Sequence, residues 1–297
     1  MSEVSLQEEP RAESKPRRIY RFETTSRALN PTGGFLKDFA YSLNPYVGCA
    51  FGDHGGCPFC YVRALPVAMK GEGARWGSWV IAKTNLQERL LVELAAMRKS
   101  GRLENATVFM SSATDPYQGI ERRLRISRGA LEAFVEFPIR RVLLQTRSPM
   151  VERDIDLLKL LGNRVMVSIS IETDDDAVRR AITPTSPSIE RRLRTARTMR
   201  RVGIPVQIAI SPMLPNNPER FAELADEAAD RVIVDSYFAG DGSGGRRTRA
   251  LGIGELYRRL GYERWFHPGA EDELLATMRA RLGEHRVLYS RDGFAAV

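Results

Sequence analysis

The three cysteines of the chain, Cys49, Cys57 and Cys60, all lie in one glycine-rich segment, residues 44–63. Thiolates are ligands of soft metals, including zinc and the iron of iron–sulfur clusters. Three thiolates leave one position of a tetrahedral metal, or one iron of a cubane cluster, open to another molecule. The cysteines therefore predict a metal-centred site with an open coordination position, where chemistry can occur.

The same segment also allows a closed zinc site, because His54 supplies a fourth ligand of the kind that zinc binds. Such a zinc would be structural. Two features disfavour it: His54 lies in a loop with three glycines, which can turn the ring elsewhere, and the loop follows a predicted first barrel strand. The carboxyl ends of barrel strands are where this fold holds active sites. We favour the open site and keep zinc as the alternative.

The elements that position the cysteines follow a regular alternation of short β-branched runs and apolar stripes with helical spacing. This alternation is typical of parallel strands joined by helical crossovers. No Gly-x-Gly-x-x-Gly follows the first strand, which disfavours a doubly wound nucleotide-binding sheet. We predict an α/β fold, a partial (β/α)6 barrel of the TIM type with a small carboxyl-terminal appendage. The predicted strands are residues 39–46, 107–110, 141–144, 165–171, 205–210 and 231–234.

Three parts of the chain differ in composition. Residues 1–18 are polar and charged, and we expect a disordered tail. Residues 19–238 hold the barrel with its amino-terminal lead-in. In residues 239–297 a flexible loop rich in glycine and arginine precedes a capping segment that packs over one mouth of the barrel.

The composition is that of an enzyme-sized chain, with 43% hydrophobic and 28% charged residues. No apolar run approaches the roughly 18 residues of a membrane helix, no secretory segment follows the amino terminus, and an odd number of cysteines suits a reducing compartment. We therefore expect a cytoplasmic protein that does not enter a membrane.

A net charge of +8 makes nucleic acid a candidate partner. Base stacking would need exposed aromatic side chains beside the basic groups, and Trp265 or Phe266 could serve, although a capping core explains both equally well. A solvated charged face is the alternative explanation for the arginines. Those near the predicted mouth are Arg122, Arg123, Arg125, Arg246, Arg247 and Arg249.

The motif Cys57-Pro-Phe-Cys60 resembles the radical S-adenosylmethionine (SAM) enzymes, whose cysteine triad closes with Cys-x-x-Cys and an aromatic residue before the last cysteine. The first gap differs, with seven residues here where three are usual. The flanks 41–49 and 60–63 resemble the branch related to spore photoproduct lyase. Segments 111–118, 146–158, 167–170 and 210–215 agree, so the resemblance covers about residues 36–236.

The resemblance implies a [4Fe-4S] cluster on Cys49, Cys57 and Cys60, with SAM bound at the free iron. It also implies a one-electron donor such as flavodoxin or ferredoxin, and reductive cleavage of SAM to a 5′-deoxyadenosyl radical. The methionine end of SAM carries an amino group and a carboxylate, which need acceptors and donors at the strand ends. The implied SAM-binding residues are Phe59, Tyr61, Ser112, Thr114, Arg147 and Ser170.

The substrate is not identified by these motifs. The lyase has a cysteine hydrogen donor near this strand end, whereas this chain has Ser111 and Ser112, whose O–H bonds are too strong to replace a thiol. We expect a radical SAM enzyme with a different substrate, and candidate catalytic residues Tyr61, Asp115 and Tyr117. The alternative is a noncatalytic, zinc-stapled nucleic-acid-binding protein.

Overall fold

A computed structural model describes residues 18–51 and 57–295. The tail predicted for residues 1–18 lies outside this range except for its last residue. The strands of the described residues are β1 (Ile19–Glu23), β2 (Asn30–Pro31), β3 (Tyr41–Leu43), β4 (Tyr46–Val47), β5 (Trp79–Lys83), β6 (Thr107–Met110), β7 (Arg141–Thr146), β8 (Val165–Ser170), β9 (Val206–Ile210), β10 (Arg231–Val234) and β11 (Val287–Tyr289).

The helices connect the strands and cover the outer face of the main sheet. They are α1 (Leu86–Lys99), α2 (Glu121–Leu124), α3 (Ile126–Glu136), α4 (Ile155–Leu161), α5 (Asp176–Ile182), α6 (Ile189–Arg201), α7 (Pro218–Ala228), α8 (Arg246–Ala250), α9 (Ile253–Leu260), α10 (Asp272–Leu282) and α11 (Ser290–Ala295).

The main sheet has the strand order β2-β3-β6-β7-β8-β9-β10-β11. Every neighbouring pair in it is parallel except β2 and β3. The edge strands β2 and β11 do not pair with each other within the described residues. The predicted partial barrel is therefore confirmed, and all six predicted strands lie in it.

The two faces of the sheet carry different side chains because residues alternate along a strand. Residues such as Val142, Val167 and Ile208 face the helices and join the largest hydrophobic cluster. The alternate residues of the same strands form a second cluster in the barrel interior, which α11 closes with Phe294. Its buried members are Phe39, Phe109, Leu143, Met166, Ala209, Ile233 and Phe294.

The same inner face also carries polar side chains on β7, β8 and β9. Gln145 donates from Nε2 to Ser170 Oγ at 2.7 Å, and Gln207 donates from Nε2 to Ser168 Oγ at 2.8 Å. Hydrogen bonding makes these buried polar groups tolerable. The polar side chains follow the apolar cluster towards the carboxyl end on β7 and β8, whereas on β9 Gln207 precedes Ala209.

Two features of the fold lie outside the predicted strands. A small sheet of order β1-β5-β4 stands beside the barrel. The strand β11 adds to β10 in parallel, so the main sheet has seven parallel strands where the sequence predicted six. The glycine-rich segment, predicted to be flexible, turns around the carboxylate of Asp241, which accepts hydrogen bonds from Ser243, Gly245 and Thr248.

No helix in the described part of the chain is long and apolar enough to cross a membrane.

Candidate functional site

The cysteine segment leaves the sheet at the carboxyl end of β3. After β4 the chain turns at Gly48, whose φ is +80°, and reaches Cys49. A Cβ atom at Gly48 would lie 2.5 Å from the carbonyl oxygen of Trp79, so the turn requires glycine. Cys57 and Cys60 precede a short 3-10 helix, Tyr61–Ala64. His54, the fourth ligand of the zinc alternative, lies outside the described residues.

The entry to the cysteine loop is held by hydrogen bonds from neighbouring segments to its backbone. Thr114 donates from Oγ1 to the carbonyl of Gly48 at 2.6 Å. The amide N–H of Ala50 donates to Oε1 of Gln118 at 2.8 Å. Arg18 donates to the carbonyl of Ala50 at 2.8 Å. The residues around Cys49 therefore take their position from the loop that follows β6.

The three thiols are half-buried and unpaired with one another. Burial raises the pKa of Cys49 and that of Cys57 to about 12, and it also raises the pKa of Cys60. Each thiol thus favours its neutral form when no positive charge is nearby. Among residues 18–51 and 57–295, no three His, Cys, Asp or Glu side chains are gathered into a metal-binding group.

Arg147, in the loop after β7, brings a positive charge to the cysteines. Its Nη1 donates to Sγ of Cys57 at 2.8 Å and to Oγ of Ser186 at 3.1 Å. Its Nη2 lies 3.0 Å from Oε1 of Glu172. Although burial acts against the charge, the neighbouring thiols and carboxylates hold the pKa of Arg147 above its ordinary value.

Glu172 links Arg147 to a second arginine. Its Oε2 lies 2.7 Å from Nη1 of Arg192, which also donates to the carbonyl of Ser170 at 2.5 Å. Glu172 and Arg192 are almost fully buried. Burial opposes the carboxylate, but the two guanidinium groups prevail and lower the pKa of Glu172. One buried carboxylate thus lies between the partly buried guanidinium of Arg147 and the fully buried guanidinium of Arg192.

Asp115 joins the loops after β6 and β7. Its Oδ1 accepts from the amide of Tyr117 and the hydroxyl of Thr146, both at 2.8 Å, and its Oδ2 accepts from the amide of Arg147 at 2.9 Å. Burial raises the pKa of this carboxyl. Through these hydrogen bonds, Asp115 holds the backbone of Arg147 in place.

The hydroxyl groups expected at the strand ends all lie at the mouth, and each has a partner. Oγ of Ser112 accepts from Nδ2 of Asn44 at 3.4 Å, whereas Oγ of Ser170 accepts from Gln145. Thr114 donates to the cysteine loop as described. Ser112 and Ser170 are both acceptors in these contacts and keep their own hydroxyl hydrogens, but Ser170 is buried whereas Ser112 is half-buried.

The two candidate tyrosines lie in different surroundings. Tyr61 donates its hydroxyl to the carbonyl of Ser112 at 2.5 Å, next to the last cysteine. Tyr117 is fully buried in the core, and its hydroxyl donates to Oδ2 of Asp154 at 3.0 Å. Of the two, the structure brings only Tyr61 into the cysteine segment.

Phe59 connects the cysteine loop to the carboxyl-terminal segment. Its ring stands edge-on to Tyr237, with 6.1 Å between the ring centroids. Tyr237 shares a hydrogen bond of 2.9 Å with the hydroxyl of Tyr257 and packs against Phe266. Phe266 therefore belongs to an aromatic cluster over the mouth. Trp265 lies half-buried beneath the guanidinium of Arg264.

The basic side chains singled out in the sequence form two groups. Arg122, Arg123 and Arg125 are exposed on and after α2. In and beside α8, Arg246 and Arg249 are exposed, whereas Arg247 is half-buried and donates to the carbonyl of Asp241 at 2.9 Å.

Sequence reasoning missed Glu172, Arg192 and Thr185, whose hydroxyl donates to the carbonyl of Phe51. Glu172 had a usable signal, because it follows the apolar run of β8 at the strand's carboxyl end. Arg192 had none, since an arginine on a helix normally faces solvent.

Comparison with known proteins gives a family match over the site. The sequence matches the family model described as Radical SAM superfamily over residues 43–228. An uncharacterized protein of Methanocaldococcus jannaschii is 29% identical over 190 residues, covering 64% of this chain and 66% of that protein. An uncharacterized protein of Acidianus two-tailed virus is 31% identical over 223 residues, covering 68% of this chain and 69% of that protein.

Two further similarities carry functional names. A radical SAM Nalpha-GlyT isomerase of Pseudomonas phage M6 is 27% identical over 215 residues, 70% of this chain. This chain spans only 41% of the isomerase. A solved structure of a spore photoproduct lyase variant has a TM-score of 0.63 at 13% identity, over 91% of this chain and 81% of that one. The last similarity shows the fold.

Proposed function

The chain belongs to the radical SAM superfamily, and we propose that it is an enzyme whose Cys49, Cys57 and Cys60 hold a [4Fe-4S] cluster. When bound, this cluster supplies one electron to SAM, which separates into methionine and a 5′-deoxyadenosyl radical that acts on a further substrate. The observation that carries the proposal is the placement of all three thiols of the chain on one loop at the carboxyl edge of the parallel sheet.

The donor set fits such a cluster. Sulfur ligands suit iron–sulfur clusters, and cationic irons remove the protons that burial otherwise keeps on the thiols. The guanidinium of Arg147 lies against Cys57 and offsets part of the negative charge of three thiolates. The hydrogen bonds of Thr114 and Gln118 fix the backbone on either side of Cys49 and leave its sulfur free to bind iron.

The polar groups at the mouth suit the two charged groups of SAM. We propose that Ser112 and Arg147 contact the methionine end, because Ser112 keeps a donor and a guanidinium has five N–H groups. Thr114 already donates its hydroxyl hydrogen to the carbonyl of Gly48, and Ser170 is buried, so we assign both to holding the mouth in shape. Phe59 is proposed to border the adenine, as the resemblance implies, with Tyr61 beside it.

The roles proposed for the other candidates follow from their surroundings. Asp115 fixes Arg147, so we propose a positioning role for it. Tyr117 is fully buried with its hydroxyl on Asp154, so we assign it a packing role, whereas Tyr61 lies beside Cys60 and is the candidate for contact with a substrate radical. If the three thiols are committed to a cluster, the hydrogen returned to the product comes from SAM-derived deoxyadenosine, from a tyrosine or from outside the protein.

We propose nucleic acid as a candidate substrate class, with a solvated charged face as the alternative explanation for the arginines. The exposed arginines after α2 and in α8 provide phosphate partners. Phe266 is committed to the aromatic cluster, so base stacking would rest on Trp265. The electron is proposed to come from a small redox protein such as flavodoxin or ferredoxin.

Metal analysis of anaerobically purified protein tests the proposal. We expect about four irons and about four acid-labile sulfides per chain, with deoxyadenosine released on addition of SAM and dithionite. One zinc without iron would overturn the proposal and support the zinc-stapled alternative.

Two variants make this test sharper. C57A is expected to lose iron and deoxyadenosine release together. H54A removes the fourth ligand of the zinc alternative and none of the proposed cluster ligands, so it should retain both. If H54A lost the metal and C57A kept a competent cluster, the proposed ligand set would be wrong.

A further inference from the structure

The guanidinium of Arg147 makes a contact beyond its role towards SAM, because Nη1 lies 2.8 Å from Sγ of Cys57. The position of this guanidinium is fixed from several sides. Its backbone amide is held by Asp115, Nη1 also reaches Ser186, and Nη2 faces Glu172. Such restraints leave the side chain little freedom to turn away from the sulfur.

The side chains next to this contact carry more positive than negative charges, and two of them, Glu172 and Arg192, are almost fully buried. Arg147, Glu172 and Arg192 form one line in which a carboxylate lies between two guanidinium groups. Two positive charges and one negative charge leave a net charge of +1 on the trio. Buried charges interact strongly because the surrounding dielectric constant is low.

We infer that Arg147 donates a hydrogen bond to the ligand sulfur of Cys57 and thereby raises the reduction potential of the cluster. The inference rests on the function proposed above and extends it to the tuning of the same site. The potentials of iron–sulfur clusters depend on hydrogen bonds to sulfur and on nearby charge. One electron from an external reductant enters without breaking a bond at the protein, and the negative charge at the three sulfurs and irons rises by one.

A fixed cation and an N–H donor stabilise the reduced form more than the oxidised form, because the reduced form carries the additional negative charge. Glu172 acts in the opposite direction through its own charge, while it also orients Arg147. The geometry therefore predicts effects of opposite sign for these two residues, which loosened packing alone would not produce.

Redox titration monitored by EPR tests the inference on the reconstituted full-length protein. In R147Q we expect at least a tenfold lower ratio of reduced to oxidised cluster at a fixed applied potential, which corresponds to about 59 mV for a one-electron couple. In E172Q we expect that ratio to rise. R147K keeps the charge but not the planar group of donors, and an intermediate ratio is expected.

A matched control is R128Q, which removes an arginine that pairs with Asp154 and Asp156 rather than with the cysteine loop. Its ratio should equal that of the wild type. Equal ratios in loaded wild type and R147K, with no rise in E172Q, would overturn the inference even if R147Q failed to fold. Failure of the wild type to bind iron would instead overturn the proposed function, so the two failures are distinguishable.

Discussion

Glu172 and Asp235 are carboxyl groups at the same edge of the same sheet, and each is only 1% exposed. Glu172 follows β8 and lies between Arg147 and Arg192. Asp235 follows β10 directly, and among the described residues no basic side chain forms an ion pair with it. Its Oδ2 accepts from the hydroxyl of Ser211 at 3.2 Å, and its Oδ1 has no hydrogen-bond partner.

The two groups respond to burial in opposite ways. The pKa of Glu172 is lowered because two guanidinium groups outweigh the loss of hydration. The pKa of Asp235 is raised to about 7, chiefly by burial, with a smaller contribution from the nearby carboxyl of Glu271. The cysteine side of the mouth thus holds compensated charge, that is, a buried carboxylate paired with cations. The β10 side holds a carboxyl group whose neutral form is favoured by burial.

Replacing Glu172 should give the largest change, because it removes the buried anion between two cations. We expect E172Q to lower the free energy of unfolding by about 3–5 kcal/mol, the range for breaking a buried ion pair. Urea unfolding followed by circular dichroism measures this. The control is E190Q, since Glu190 is 64% exposed and faces Arg194 at 3.8 Å. That change should cost less than about 1 kcal/mol. Equal losses of unfolding free energy in E172Q and E190Q would show that the ion pairs of Glu172 stabilise the fold no more than an exposed ion pair does.

Asp235 should make the stability depend on pH in the opposite sense to a salt-bridged carboxylate. Its pKa is raised from the ordinary value to about 7, so the folded protein holds the proton more tightly than the unfolded chain. The stability contributed by this carboxyl is complete below its ordinary pKa and is lost as the pH rises through about 7.

The variant D235N removes this titration. Its stability relative to the wild type should increase by roughly 2–3 kcal/mol between pH 5 and pH 8, measured as the difference between urea unfolding free energies. D292N, at a side chain that is 87% exposed, should stay within about 0.5 kcal/mol of the wild type. A D235N difference that did not change with pH would show that Asp235 is ionised throughout.

The comparison also shows how much of the fold could be predicted from the sequence. Five of the six predicted barrel strands carry apolar, largely β-branched runs that are buried on both faces, as is typical of parallel strands. The sixth, β3, is only partly buried and was predicted from a partial alternation of apolar and polar residues. The strand β11 was missed because three residues, Val287–Tyr289, carry too short a pattern. The small sheet was missed for a related reason, since its strands β1 and β5 are separated by the whole cysteine segment and pair only in three dimensions.

The candidate site, too, could be predicted only in part. Residue type and spacing located the cysteine loop, and the family resemblance pointed to the polar residues after β6 and β7 and to Ser170 at the end of β8. They did not show that Arg147 faces Glu172, because that pairing joins two loops and depends on the register of β7 and β8. Asp235 directly follows a predicted strand, but whether a cation lies beside it depends on residues distant in the sequence, and among the described residues none forms an ion pair with it.

The smallest effect is expected at Glu271, which lies on the β10 side with Asp235. Its Oε1 accepts from the hydroxyl of Tyr289 at 2.7 Å, and its Oε2 has no hydrogen-bond partner. E271Q keeps an acceptor for Tyr289 and removes the negative charge that disfavours ionised Asp235. At pH 8 it should therefore stabilise the fold by up to about 1 kcal/mol. Y289F, which removes the donor and leaves the carboxylate with fewer partners, should destabilise it by about 1 kcal/mol. If urea unfolding gave E271Q a cost as large as that of E172Q, Glu271 would have a cationic partner, and the division of the mouth into compensated and uncompensated sides would fail.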